Sequence, residues 1–286
     1  MAKQNEVAYV SRLSEHEVWH AVNKPFSDPN CGRYLLQLGT LFVLLPARAR
    51  LLDLGCGTGW TSQFFARAGY DVVGVDIAPS MIQLAEESRN RAGLGNLTFV
   101  CSDYEALSFR CEFDCAVFFE SLHHAEDEGL ALRKAYEALK PGGICLASEP
   151  GRGHHDASQH VIERFGVNEK DMPPEHVVAL ARRAGFREFR VFPHAPALAN
   201  VVYERRRQPM TYPFAAVDVD LPSAPTNRRR RSLVKRVGGR FARIWRQDQP
   251  SPLLVPRQDQ LSPWRVPQVD HLLRNIRHDG VVLLQK

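Results

Sequence analysis

With 286 residues, 44% of them hydrophobic and 24% charged, the chain has the composition of an ordinary folded protein. That excludes collagenous, mostly disordered and disulfide-scaffold classes. The formal charge of +5 is unevenly spread, because residues 200–246 hold 12 Arg or Lys against 3 acids and leave −4 for the remainder. The six cysteines (Cys31, Cys56, Cys101, Cys111, Cys115 and Cys145) form no C-x-x-C pair, so free thiols in a reducing compartment are expected. The N-terminus opens polar, and the apolar stretch Leu35–Leu45 is shorter than the ~20 residues of a membrane span, which predicts a cytoplasmic protein.

Residues 7–45 read as helices interrupted at Lys24–Pro29. From residue 50 onward, short apolar runs alternate with helical patterns. Strands are predicted at 51–54, 72–76, 97–101, 115–120, 144–148 and 186–192, and helices at 61–68, 80–91, 130–139 and 174–184. Pro141-Gly142-Gly143 reads as a helix stop. Runs that are apolar on both faces, separated by helices, predict an α/β fold with a mostly parallel sheet. Eleven of the 19 prolines fall between Pro193 and Pro267, which disfavours long regular elements there. The strand pattern returns at Gly280–Leu284.

Asp53-Leu54-Gly55-Cys56-Gly57-Thr58-Gly59 carries the chemistry. It follows a strand and precedes a helix, where glycines permit a tight turn and the helix N-terminus offers N–H groups to a ligand. The second strand ends in Asp76 and the third in Asp103-Tyr104. Acids at successive strand tips mark one ligand crevice on the carboxyl edge of the sheet.

With these residues the chain resembles the class I S-adenosylmethionine-dependent methyltransferases. The resemblance extends through Val73–Met81, Phe113–Val117, Ser121-Leu122-His123-His124 and Leu139–Gly143, about half of the chain. It implies a Rossmann-like seven-stranded sheet with helices on both faces and an antiparallel last strand. Residues 1–49 would form a helical lid, 50–192 the cofactor-binding core, 193–279 a Pro/Arg-rich insertion and 280–286 the final strand. It further implies S-adenosyl-L-methionine as cofactor. Gly55, Cys56, Gly57 and Gly59 would hold its methionine part, with Asp53 behind or beside the amine. Asp76 would accept the ribose hydroxyls. Ile77 would lie against the adenine, Met81 would belong to the same site, and Asp103 with Tyr104 would hold the adenine edge. Glu120 and Ser121 would lie beneath the sulfonium.

Methyl transfer to oxygen usually needs a general base, and His123, His124, Glu149 and His154 are the candidates after strands four and five. Trp19, Phe26, Tyr34 and His155 are candidate acceptor-binding residues. No metal is expected: His154-His155-Asp156 offers ligand types, but neighbouring histidines point in alternate directions. Phe165-Gly166-Val167 and Asp171–Pro174 resemble bacterial methyltransferases encoded with glycosylation enzymes, so the expected acceptor is a small molecule or a sugar or glycan. The basic amphipathic pattern at 228–246 suggests an anionic membrane surface or lipid-linked glycan as partner, and a place at the inner face of the membrane. Two alternatives remain: a non-catalytic S-adenosylmethionine-binding regulator, and a nucleic-acid methyltransferase using the Arg-rich stretch. Against the latter, Glu120-Ser121-Leu122-His123 differs from the Asn/Asp-Pro-Pro-Tyr/Phe exit used on base amino groups.

Overall fold

The computed structural model describes residues 2–193 and 280–286. The proposed insertion and its basic helical pattern at 228–246 lie outside the described residues.

Seven strands form one sheet: β1 Arg50–Leu54, β2 Asp71–Asp76, β3 Leu97–Cys101, β4 Phe113–Phe119, β5 Leu139–Ser148, β6 Glu188–Pro193 and β7 Gly280–Gln285. Their order is β3-β2-β1-β4-β5-β7-β6. Six strands run parallel; β7 is antiparallel to both neighbours, pairing Leu146 with Leu283 and Val191 with Val282. The order reverses between β1 and β4, and a doubly wound sheet opens its ligand crevice at such a point.

Side-chain alternation along β1 assigns the two faces. Leu52 and Leu54 join a core with Phe118, Leu132, Ala135, Val177 and Ala181, under α6 (Glu128–Ala138) and α9 (Pro174–Ala184). Leu51 joins Leu38, Leu41, Phe65, Val117 and Val281 on the opposite face, under α3 (Cys31–Leu44) and α4 (Trp60–Arg67). Both faces are therefore covered, as the unbroken apolar strand sequences require. α5 (Pro79–Ala92) begins with Pro at its first turn and ends at Gly93 in the left-handed region, a start and stop visible in the sequence.

Three details depart from expectation. β5 begins at Leu139 and runs through Pro141-Gly142-Gly143, so the helix has already stopped at Ala138. The register shifts between Phe113 and Cys115, with Gly142 at φ +78°. Two short helices, α7 (His154–Ala157) and α8 (Gln159–Phe165), follow β5. The N-terminal region begins with a further helix, α1 (Ala2–Val7), before α2 (Glu15–Val22), whose start is fixed by the Ser14/Glu17 capping box. No helix among the described residues is long and apolar enough to cross a membrane.

Candidate functional site

The loop after β1 is stapled to β2 by its backbone. Gly55 and Cys56 donate their N–H groups to the Val75 carbonyl at 2.8 and 2.9 Å. Asp76 accepts from Gly57 N–H and Ala78 N–H, both at 2.9 Å, one on each carboxylate oxygen. Burial raises the Asp76 pKa, and these two bonds offset only part of the rise. Gly57 sits at φ +53°, and a Cβ there would meet nothing within 4 Å. Gly59 has a different task. It caps α4 at φ +74°, and a Cβ would lie 2.5 Å from the Phe99 ring.

Asp53 lies beneath the loop. It is 1% exposed and accepts from Thr61 Oγ1 at 2.7 Å and Ser62 Oγ at 2.6 Å. Burial pushes its pKa up to about 6 despite those bonds.

Two cavities adjoin over the carboxyl edge, of about 290 and 410 Å³. Gly55, Gly57, Met81 and Glu120 line both. Asp76, Ile77, Asp103, Tyr104, Ser121 and His124 line the first, and Cys56, Thr58, Tyr34, Trp60 and Phe119 the second. Tyr104 donates its hydroxyl to the Ser121 carbonyl at 3.0 Å, and Asp103 pairs with Lys3 of α1 at 2.6 Å. Glu120, one residue past β4, holds φ +48°, a left-handed conformation that costs a non-glycine residue about 1–2 kcal/mol. Gln37 Nε2 donates to its carboxylate at 3.2 Å.

The wall beyond Ser121 is built from side chains. Glu149, buried at 3% exposure, accepts from the backbone N–H of Ser121 (3.1 Å), Leu122 (2.9 Å) and His123 (3.3 Å), and from His123 Nδ1 at 2.7 Å. His123 Nε2 faces Glu169 at 3.4 Å. Burial alone would lower the His123 pKa, but hydrogen bonds and charge from the two carboxylates raise it to about 9. Burial likewise pulls Glu149 and Glu169 upward, and their bonds to the imidazoles reverse the sign, holding both below the usual carboxylate range. Neither His123 nor Glu149 lines either cavity, so both are corrected from candidate bases to a buried ion pair that shapes the 120–124 turn. His154 is also off the cavity wall, with Nε2 on Glu169 at 2.7 Å. His124 is different. It lines the first cavity, and its Nδ1 lies 2.7 Å from the Asn168 carbonyl. A carbonyl only accepts, so Nδ1 donates there and Nε2 is the ring nitrogen left out of that bond.

Of the acceptor candidates, only Tyr34 reaches a cavity, where its ring meets Trp60 and Phe119 with centroids 5.8 and 6.4 Å apart. Trp19, on α2, and Phe26, in the turn after it, are 55% and 73% exposed and line neither cavity. His155 lines neither cavity: its Nδ1 donates to the Glu169 backbone carbonyl at 2.8 Å and its Nε2 lies 3.0 Å from the Gln159 amide nitrogen. Asp53 and Gly59 line neither cavity; Asp53 lies behind the loop, one of its two expected placements, and Gly59 packs against Phe99. Sequence reasoning missed Lys3, Glu6, Tyr9 and Glu169, all on the first cavity. The acid of Glu169-Lys170-Asp171 carries no local signal, since its partners lie some 45 residues earlier and 15 earlier.

Residues 52–147 match the model of a family described as methyltransferase domain. A ubiquinone biosynthesis O-methyltransferase from Nitrobacter winogradskyi is 38% identical over 125 residues, 44% of this chain and 47% of that protein. A ubiquinone/menaquinone biosynthesis C-methyltransferase from Pectobacterium carotovorum is 38% identical over 130 residues, 41% of this chain and 52% of that protein. The chain thus spans about half the length of these curated relatives. Among solved structures, an S-adenosylmethionine-dependent methyltransferase from Thermotoga maritima, described as a possible histamine N-methyltransferase, superposes with a TM-score of 0.51 at 24% identity, over 66% of this chain and 84% of that one. At that identity the likeness speaks for the fold alone.

Proposed function

We propose that this chain, whose residues 52–147 form a class I S-adenosylmethionine-dependent methyltransferase domain, methylates an oxygen of a small-molecule acceptor. The domain's cofactor is S-adenosylmethionine, which supplies an electrophilic methyl on a sulfonium when bound. The residues present fit it. The Asp76 and Asp103 carboxylates border one cavity and can accept from ribose hydroxyls and an adenine amino group, while Gly57 leaves its wall free of a Cβ. Glu120, whose carboxylate also meets Arg33 at 3.5 Å, and the Ser121 region offer acceptors to a cation at the tip of β4.

The observation that carries the oxygen assignment is the wall beyond them. His124 and the Glu169 carboxylate both line the first cavity, with His124 Nδ1 held on the Asn168 carbonyl. An imidazole and a carboxylate are the side chains that serve as general bases, so this wall can take the proton of an acceptor hydroxyl as it becomes a nucleophile. The relatives do not decide the atom, since one is named for transfer to oxygen and the other for transfer to carbon. Tyr9, Tyr34, Trp60 and Phe119 give the second cavity flat apolar faces, which suit an aromatic acceptor better than a sugar. The expected glycan acceptor and membrane partner find no support in these cavities or in the relatives' names. Residues 1–49 act as a lid, a reading supported by Lys3, Glu6 and Tyr9 on the first cavity's wall.

The test begins with calorimetric titration of S-adenosylhomocysteine, followed by transfer of labelled methyl to a panel of phenols, sugars and amines. Micromolar binding with label on a phenolic oxygen is the expected result. Label on nitrogen or carbon would overturn the oxygen assignment, and binding without any transfer would favour a regulator.

A further inference from the structure

We propose that His123, His124 and Glu169 form a binding site for a divalent transition-metal cation at the edge of the first cavity; the role of that ion in catalysis rests on the methyltransferase reading, its binding does not. One ring nitrogen from each histidine and one Glu169 carboxylate oxygen lie within 4.8 Å of one another. Ligands at 2.0–2.2 Å from a common ion sit about 3–4 Å apart, so small side-chain shifts complete the set. Two imidazoles and one carboxylate are the donor set of borderline divalent ions such as zinc, manganese and iron, and three protein ligands leave positions open to a substrate oxygen.

The outer atoms of these rings are already held as metal sites hold theirs. His123 Nδ1 meets Glu149 at 2.7 Å and His124 Nδ1 meets the Asn168 carbonyl at 2.7 Å, which leaves each ring its other nitrogen as a ligand. His154 Nε2 lies 2.7 Å from the same Glu169 oxygen and orients that carboxylate. The charges point the same way. Glu6, Glu149 and Glu169 all face these histidines, and among the described residues none of the three is paired with a lysine or arginine. Glu6 Oε1 is buried and accepts no hydrogen bond. The expectation of no metal weighed only His154-His155-Asp156; the fold assembles donors from the β4 exit and from residue 169 instead. Glu169 and His124 both border the cavity, so a bound ion would stand beside the acceptor and lower the pKa of a coordinated hydroxyl.

Full-length protein stripped with a chelator is titrated separately with Zn²⁺ and Mn²⁺ by calorimetry, with Mn²⁺ binding also followed by electron paramagnetic resonance. One equivalent is expected to bind. His124→Asn and Glu169→Gln are expected to weaken that binding at least tenfold, and Glu149→Gln to weaken it through the His123 ring. S-adenosylhomocysteine affinity and far-ultraviolet circular dichroism report whether each variant is folded. Wild-type protein that binds S-adenosylhomocysteine but no stoichiometric metal overturns the site and leaves the methyltransferase reading intact. Metal binding that survives both His124→Asn and Glu169→Gln, or is lost in His155→Ala alone, also overturns it. Metal bound by protein that fails to bind S-adenosylhomocysteine upholds the site while sinking the cofactor reading.

Discussion

The two walls of the first cavity are built by different means. The wall under the glycine loop is made of backbone: N–H groups of residues 55–57 and 78 reach strand β2 and its terminal acid, over at most some 20 residues of sequence. The wall beyond Ser121 is made of side chains brought from afar. Glu149 reaches back to residues 121–123, Asn168 to His124, and Arg12 and Glu17 of the N-terminal region clasp the backbone and side chain of residues 164–165. Backbone walls tolerate sequence change and carry what is common to a family, whereas side-chain walls can be rebuilt to suit an acceptor.

The largest expected effect breaks the side-chain wall. Glu149→Ala strands a buried imidazolium and three N–H groups, and is expected to cost about 3–5 kcal/mol of stability. Denaturant unfolding measures it; a loss under 1 kcal/mol would mean the turn holds itself. Glu149→Gln, which keeps an acceptor for the backbone, is expected to retain methyl transfer with divalent metal supplied in excess, and loss of turnover under that condition without loss of fold would restore Glu149 as a base. At the backbone wall the matching change is Asp76→Ala. It is expected to weaken S-adenosylhomocysteine at least 100-fold, about 2.7 kcal/mol, in a calorimetric titration. A change below fivefold would remove Asp76 from cofactor recognition.

The same division explains what could be read from the sequence. Each strand and the mostly parallel sheet were legible from apolar runs and glycine stops, whereas the antiparallel β7 was expected only from the family resemblance and the strand order is read from the structure. Asp76, Asp103 and the loop glycines were legible because their positions are fixed relative to a strand end. His124 was visible only as one of a pair, and nothing in the sequence says that His123 turns inward to Glu149 while His124 turns to the cavity. Glu169 was invisible. Its meaning comes from β4 and α7 residues that only tertiary packing brings to it. Asp53 and Gly59 show the converse. They stand inside the glycine motif, yet their work is holding α4 and admitting the Phe99 ring.

Asp53 also sharpens the comparison through pH, because it belongs to the backbone wall but acts from beneath. Its folded pKa of about 6 lies above the ordinary value of 3.8. Between these values the folded state binds more protons than the unfolded state, so its contribution to stability is fullest below pH 3.8 and falls as pH rises to about 6. The shift corresponds to roughly 3 kcal/mol. Asn at this position can accept from Thr61 and Ser62 without charge. Urea unfolding of Asp53→Asn and wild type at pH 4 and pH 7 isolates this group, since the other carboxylates are shared. The variant is expected to gain on wild type by 2–3 kcal/mol between the two pH values. An unchanged difference would place a charge-stabilising partner at Asp53.

The smallest effect separates two glycines that look alike in sequence. Gly57→Ala meets no atom within 4 Å and bears only the strain of φ +53°, about 1–2 kcal/mol. Its methyl would project into the cofactor cavity. Gly59→Ala drives a Cβ to 2.5 Å from the Phe99 ring and displaces the packing of β3 against α4. The former is therefore expected to lower S-adenosylhomocysteine affinity about tenfold with a modest loss of stability, and the latter to lose more stability with affinity following the fold. Melting temperature and calorimetric affinity measured on both variants decide it. If Gly59→Ala is stable and loses only the ligand, Gly59 returns to the cavity wall and the boundary between the loop's binding and supporting residues moves one turn into α4.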